Sequence, residues 1–314
     1  MKNQNLYVKK SDKIFLAGHK GLVGRSVLKK LKIDGYKNVI TSSRKSLNLL
    51  NQRKVFNFIS KKKPKAIIIC AAKVGGVNAN KNNKVDFIYE NMTIQNNIIH
   101  SAYKNNVERL VFLGSSCIYP ANSKQPIKEE YLLTGSLEDT NDAYAIAKIS
   151  GIKFCQSLNE QYKKNYICLM PTNIFGKNDN YNLLNSHFIP AIIRKIHIAI
   201  KKKQNIIEVW GTGKPKREIM HVDDLADAIV FFMNKKTKES LINIGSGYEK
   251  TINQFAKTLI NISGRNIKIK YVNKNLNGVR RKLLNTNLAR KYGWTSKGNI
   301  LQKLKETFNS YTNL

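Results

Sequence analysis

Tyr144 and Lys148 stand four residues apart in Tyr144-Ala145-Ile146-Ala147-Lys148, a spacing that brings two side chains to one face of a helix. An ammonium beside a phenol favours the phenolate, so Lys148 is expected to lower the Tyr144 pKa toward working pH, where the phenol can give or take a proton. In isolation the same spacing occurs on ordinary surface helices. Upstream, however, Gly114-Ser115-Ser116-Cys117 follows an apolar run at 110–113, and open α/β sheets bind ligands at the carboxyl ends of such strands. Ser115, Tyr144 and Lys148 then form a set able to reduce a carbonyl: a hydroxyl to polarise it, a phenol to protonate the alkoxide and an ammonium to tune the phenol.

Carbonyl reduction needs a hydride source, and the sequence offers a seat for one. Gly18-His19-Lys20-Gly21-Leu22-Val23-Gly24 directly follows a predicted strand and opens a predicted helix. Glycines permit a tight turn and close backbone approach, and the helix N-terminus meets a pyrophosphate. The spacing is GxxGxxG, and without its strand-to-helix context the triplet would mark only a turn. The second strand ends at Thr41-Ser42-Ser43-Arg44, where an NAD site would carry a carboxylate for the ribose hydroxyl. Arg44 and Lys20 suit a 2′-phosphate instead, which favours NADP(H). The competing reading leaves Arg44 as one more solvated cation.

These groups require rigid elements to hold them. Short β-branched runs at 13–17, 38–41, 66–70, 110–113 and 166–170 alternate with amphipathic segments at 22–31, 52–61, 85–105 and 144–161. That alternation predicts an α/β fold, a Rossmann-type doubly wound parallel sheet. After Gly176 the rhythm changes, with a helix at 188–202, a strand at 206–210, a helix at 222–232 and a strand at 241–244. From Thr251 onward two or three more helices and a strand near 267–271 are expected. The predicted division is a cofactor-binding domain of residues 11–176 plus about 219–248, and a smaller α/β substrate-binding lobe of about 177–218 plus 249–314.

The chain has 314 residues, of which 42% are hydrophobic and 24% charged, enough to bury a large core without staples. Its 55 Lys+Arg against 20 Asp+Glu give a net charge of +35, which raises nucleic-acid binding as a competing class. Lysines are spread along the whole chain and accompanied by abundant asparagine, a joint bias expected of an AT-rich genome, so a solvated basic surface is the preferred reading and no nucleic-acid partner is expected. No apolar stretch is long enough to span a bilayer, and a soluble, cytoplasmic protein is expected. Cys70, Cys117, Cys155 and Cys168 lie far apart, so neither disulfides nor a metal site is suggested.

Further motifs extend the pattern: Ala71-Ala72-Lys73-Val74-Gly75-Gly76-Val77, Gly114 through Pro120, Tyr144 through Ile149, Met170-Pro171-Thr172-Asn173, Asn185-Ser186-His187, Val209-Trp210-Gly211 with Arg217-Glu218, His221-Val222-Asp223-Asp224, and Arg281-Lys282-Leu283-Leu284. With these, the chain resembles the extended short-chain dehydrogenase/reductase superfamily and, within it, the GDP-L-fucose synthase family, from about Lys13 to Trp294. The resemblance implies NADPH-dependent 3,5-epimerisation and 4-reduction of GDP-4-keto-6-deoxy-D-mannose. It assigns reduction to Ser115, Tyr144 and Lys148, and epimerisation to Cys117 and His187. It adds Ala71, Pro171, Asn173 and His187 to the cofactor contacts, and gives Ser116, Asn173, Lys195, Trp210, Arg217 and Lys282 to the nucleotide-sugar. It also implies a homodimer paired through the helices at 85–105 and 144–161. Lys20 and Lys195 stand where arginine is usual, and Asn51 and Asn277 replace aspartates. Two alternatives remain at this level: a C4 reductase of a related GDP-6-deoxy-4-keto sugar such as a heptose, and a basic RNA-binding scaffold on the same fold.

Overall fold

The structure is a computed structural model that describes residues 7–273 and 278–312. Its elements are β1 (Lys13–Ala17), α1 (Leu22–Ile33), β2 (Asn38–Ile40), α2 (Gln52–Lys62), β3 (Ala66–Ile69), α3 (Val77–Asn82), α4 (Lys84–Lys104), β4 (Arg109–Leu113), α5 (Asp142–Tyr162), β5 (Asn165–Pro171), β6 (Asn173–Phe175) and α6 (Phe188–Lys201). There follow β7 (Ile206–Trp210), β8 (Lys216–His221), α7 (Val222–Asn234), β9 (Leu241–Ile244), β10 (Glu249–Thr251), α8 (Ile252–Ile262), β11 (Lys268–Val272), β12 (Arg281–Lys282), α9 (Asn287–Lys291) and α10 (Ile300–Thr312).

Six strands form one parallel sheet in the order β2-β1-β3-β4-β5-β9. Parallel strands covered by helices on both faces must be apolar on both, and the local sequences comply: β3 is Ala-Ile-Ile-Ile, buried throughout. Alternate residues feed separate cores. Phe15, Ile67 and Ile69 join α2, α4 and α5 on one face, while Ile14, Leu16 and Ile68 join α1 and α7 on the other. α4 and α5 pack closely because Gly151 has no side chain: a Cβ there would lie 2.8 Å from Gln95 and Phe112.

A third core gathers α6, β7, α8 and α10, with Phe175 and Ile219 at its border. β7 pairs with β11, and β8 pairs with β6, β10 and β12. Ala289 and Trp294, inside the stretch expected in the second lobe, pack instead on the α1/α7 face of the main sheet. Sequence periodicity missed α3, β6, β8, β10 and β12. Four of these five span three to six residues and β12 has two, too short for an alternation to declare itself. β8, Lys-Arg-Glu-Ile-Met-His, also mixes charge with burial, since its last four residues are buried.

The strand order reverses direction between β1 and β3, which opens a crevice at their carboxyl ends. The backbone there is in van der Waals contact: a Cβ on Gly18 would lie 2.5 Å from the Ala71 amide nitrogen.

Candidate active site

The loop after β1 is shaped by glycines for backbone reasons. Gly18 has φ +89°, and a Cβ on Gly24 would fall 2.0 Å from the Gly18 carbonyl oxygen. Gly21 caps α1 without a side-chain hydrogen bond, so the first-turn N–H groups of Leu22, Val23 and Gly24 remain available to an anion at the crevice. The Arg25 Nε donates to the Lys20 carbonyl at 2.8 Å and steadies the loop. Lys20 and Arg44 are both exposed on this edge, Arg44 in the turn just beyond β2. Asn51 serves the fold, because its side chain accepts from the Lys54 amide and caps α2. Asn277 lies outside the described residues.

At the end of β4 the chain turns sharply at 116–118, and the Ser115 Oγ accepts from the Cys117 amide at 3.3 Å. α5 carries Tyr144 and Lys148 past this turn. Ser115 hydrogen-bonds the Tyr144 phenol. The buried Lys148 Nζ donates to the Leu113 carbonyl at 2.9 Å and stands 5.8 Å from the Tyr144 ring centroid. Sequence spacing thus placed the three groups correctly, but the expected effect on Tyr144 is reversed. Burial pushes its pKa up, the nearby Cys117 adds to the rise, and the Ser115 bond offsets only part. Lys148 suffers the same desolvation, which lowers its pKa to about 8. Its hydrogen bond with Leu113 holds the ammonium beside the phenol ring.

Cys117 leaves the turn facing a third layer of the molecule. The Lys282 Nζ lies 3.6 Å from its sulfur, and Lys282 pairs in register with Arg217 across β12 and β8. Burial lowers the Arg217 pKa, partly countered by Cys117 and Glu138. The Arg217 guanidinium also donates to the Val279 carbonyl at 2.6 Å.

Arg217 continues into a cavity of about 200 Å³ that also contains Asn173, His187, Lys195 and Trp210. The Lys195 Nζ donates to the Glu208 carbonyl at 2.8 Å and lies 5.2 Å from the Trp210 ring centroid. Burial lowers its pKa. His187 caps α6 with extended backbone; its side chain is exposed, and the protein crowded around it at the cleft lowers its pKa. The cavity rim is tied to the crevice by the Gly76 amide, which donates to the Asn185 carbonyl at 2.9 Å. A Cβ on Gly76 would meet the Ser186 carbonyl oxygen at 2.4 Å.

Several of the predicted residues lie close together, with Cys117 against Lys282 and Lys282 paired with Arg217 at the cavity. Gly18 and Ala71 floor the crevice, Ser115, Tyr144 and Lys148 stand beside it, Cys117 and Lys282 follow, and Arg217 leads into the cavity with His187. Pro171 ends β5 and Asn173 begins β6, where its side chain donates to the Glu218 carbonyl at 2.9 Å. Ser116 is buried beneath the turn.

Two braces were not foreseen. Glu218 is fully buried, its carboxylate accepting from the Gly247 amide at 2.7 Å and the Leu284 amide at 3.0 Å. Asn243, also fully buried, accepts from the Tyr119 hydroxyl at 2.6 Å and donates to the carbonyls of Ile127 and Asn285. Glu218 follows Lys216-Arg217 and carried no signal, whereas for Asn243 the available signal was a lone polar residue within an apolar run, Leu-Ile-Asn-Ile. A group of that kind must be satisfied by hydrogen bonds when buried.

Comparison with known proteins places this arrangement. The pattern of the NAD dependent epimerase/dehydratase family matches residues 14–245. The chain belongs to that family. Among its relatives, GDP-L-fucose synthase 1 of Arabidopsis thaliana is 45% identical over 302 residues, 96% of this chain and 94% of the relative. Among solved structures, the GDP-6-OMe-4-keto-L-xylo-heptose reductase of C. jejuni has a TM-score of 0.91 at 32% identity, covering 98% of this chain and 99% of that one. The GDP-mannoheptose C4 reductase of Campylobacter jejuni, with NADP bound, has a TM-score of 0.88 at 35% identity, covering 97% and 99%. Membership of the epimerase/dehydratase family accounts for the mostly parallel sheet and its flanking helices.

Proposed function

We propose that this member of the epimerase/dehydratase family is an NADP(H)-dependent enzyme that epimerises C3 and C5 of GDP-4-keto-6-deoxy-D-mannose and reduces C4, giving GDP-L-fucose. The observation that carries the reading is the junction of two chemistries on one surface, a carbonyl-reducing set at Ser115, Tyr144 and Lys148 beside a thiol and an imidazole at Cys117 and His187. The 45% identity to a GDP-L-fucose synthase over nearly the whole chain supports it.

The crevice fits the dinucleotide, because Gly18 packed on Ala71 and Gly24 packed on the Gly18 carbonyl close the tight turn that brings the open start of α1 to the crevice, and Lys20 and Arg44 offer charge to a 2′-phosphate. NADPH, when bound, supplies the hydride for C4. Tyr144 gives the proton to the C4 oxygen, Ser115 holds that oxygen, and a high phenol pKa keeps the proton on Tyr144 until the alkoxide forms. The C4 ketone acidifies the hydrogens at C3 and C5, so Cys117 and His187 on opposite sides invert each centre through an enolate. Lys195 and Arg217 neutralise the pyrophosphate and Trp210 packs the nucleotide-sugar. Incubation with GDP-4-keto-6-deoxy-D-mannose and NADPH, followed by NMR assignment of the product, should return the L-fuco configuration. A product unaltered at C3 and C5 would sink the epimerase half. A second reading, C4 reduction of a related GDP-6-deoxy-4-keto-heptose, draws on the likeness to the two reductases, and the same assay with a heptose substrate tests it.

Cofactor choice should depend on Arg44. Turnover efficiency is expected to be higher with NADPH than with NADH, and Arg44→Ala should remove most of that preference. Equal use of both cofactors by the unaltered enzyme would refute the 2′-phosphate assignment.

We infer a homodimer, supported by the apolar side chains on α4 and α5, where Val85 is 77% exposed, Tyr89 64% and Ile146 45%. Such apolar side chains on two long neighbouring helices suit burial against their symmetry copies. Light scattering at micromolar concentration should give twice the chain mass, and a monomer mass would count against the pairing. Among the described residues no helix is long and apolar enough to cross a membrane, and we place the enzyme in the cytoplasm. The third core marks the substrate lobe in this proposal, with residues 287–294 returned to the cofactor domain.

A further inference from the structure

We propose that Lys282 is a catalytic residue of epimerisation, its ammonium serving as the counterion that stabilises the Cys117 thiolate. The inference deepens the epimerase reading and rests on it. Lys282 was assigned to the nucleotide-sugar by resemblance alone, yet its Nζ lies 3.6 Å from the Cys117 sulfur, within hydrogen-bond distance for that atom.

The backbone delivers the ammonium there by clamping the residues that follow. The Leu283 amide donates to the Gln125 side chain at 2.9 Å, and the Leu283 carbonyl accepts from the Ile127 amide at 2.8 Å. The Leu284 amide donates to the buried Glu218 carboxylate at 3.0 Å. Glu218 is therefore a positioning residue, since it fixes the strand end from which Lys282 reaches the sulfur. The groups that face Cys117 are Lys282 from β12, Arg217 from β8, Tyr144 from α5 and Ser115 on its own turn. Glu138 acts on Arg217. The Lys282 ammonium is thus the cation that meets the sulfur directly, with Arg217 beside it on the paired strand.

In the step, the thiolate sulfur takes the hydrogen of C3 or C5 as a proton. The C–H electron pair moves into the enolate, with charge on the C4 oxygen. His187, neutral at rest because its pKa is lowered, takes up a proton from solvent, gives it to the opposite face and becomes neutral again. Cys117, now a thiol, and His187 each exchange with solvent before the second centre reacts. Lys282 keeps its proton throughout and carries the countercharge.

The test reads the thiol without substrate. Iodoacetamide alkylation of Cys117 is followed by mass spectrometry at pH 7, with NADPH binding as the check of folding. Cys155 and Cys168 are buried, and burial raises Cys70 to about 12, so Cys117 should be the site modified. Lys282→Met should slow its alkylation by about tenfold, and Lys282→Arg should restore most of the rate, because thiolate population sets reactivity. Glu218→Gln should slow it in the same direction without altering any group that touches sulfur. Deuterium uptake at C3 and C5 should fall in parallel in Lys282→Met. Alkylation of Lys282→Met at the unaltered rate would overturn the proposal while leaving the epimerase reading intact. Alkylation that depends on Lys282 in an enzyme exchanging no deuterium would overturn the catalytic role together with that reading.

Discussion

Tyr144→Phe should lower reduction at C4 by roughly 10²- to 10⁴-fold, the usual range for a lost general acid, while deuterium uptake from D₂O at C3 and C5 persists. The separation follows from the geometry. The phenol hydroxyl is the group removed, and it belongs to the Ser115 side of the surface, whereas Cys117 with Lys282 and the cavity with His187 stay in place. Phenylalanine keeps the ring that fills the site, so the protein should fold and bind NADPH. The measurement is NADPH oxidation by absorbance alongside NMR of substrate recovered from D₂O. Reduction within about threefold of the unaltered enzyme, far short of a lost general acid, would remove Tyr144 from the proton-donor role.

Cys117→Ser should produce the converse. A serine hydroxyl is far too weakly acidic to supply an anion at neutral pH, so uptake at C3 and C5 should fall by at least about 10²-fold. Slow hydride transfer to the unepimerised ketone should continue, since Ser115, Tyr144 and Lys148 are unchanged, and the product should be a GDP-6-deoxy sugar with its original C3 and C5 configuration. Deuterium exchange at the unaltered rate in Cys117→Ser would exclude Cys117 as the base and move proton abstraction at C3 and C5 to another group.

The two variants together also explain why one cleft can host both reactions. The reducing groups are carried by β4 and α5 of the main sheet, while Arg217, Lys282 and His187 come from β8, β12 and the start of α6. In the proposed function, a substrate lying across this seam would have its ketone beside Tyr144 and its flanking carbons toward the thiol and imidazole. Epimerisation can then precede reduction without the sugar leaving.

Local patterning was enough to place much of this in the sequence. β1 and β3 read as strands because every residue but the first of β1 must be buried between helices, and their bounds emerge within a residue. The glycine loop is legible because a positive φ at Gly18 and contact of Gly24 with the Gly18 carbonyl leave no other residue type admissible. Tyr144 and Lys148 reveal themselves through helical spacing, and Ser115 through its position after a strand. Those are all properties of a few consecutive residues. What only the tertiary structure decided depends on groups far apart in the chain. The direction of the Tyr144 pKa turns on desolvation by the assembled site, which outweighs an ammonium engaged elsewhere by the Leu113 carbonyl. Glu218 looks like a charged surface residue in a strand and is instead a buried clasp. Lys282 meets Cys117 across 165 positions, because β12 pairs with β8 and no local periodicity encodes which distant strand a two-residue segment will join.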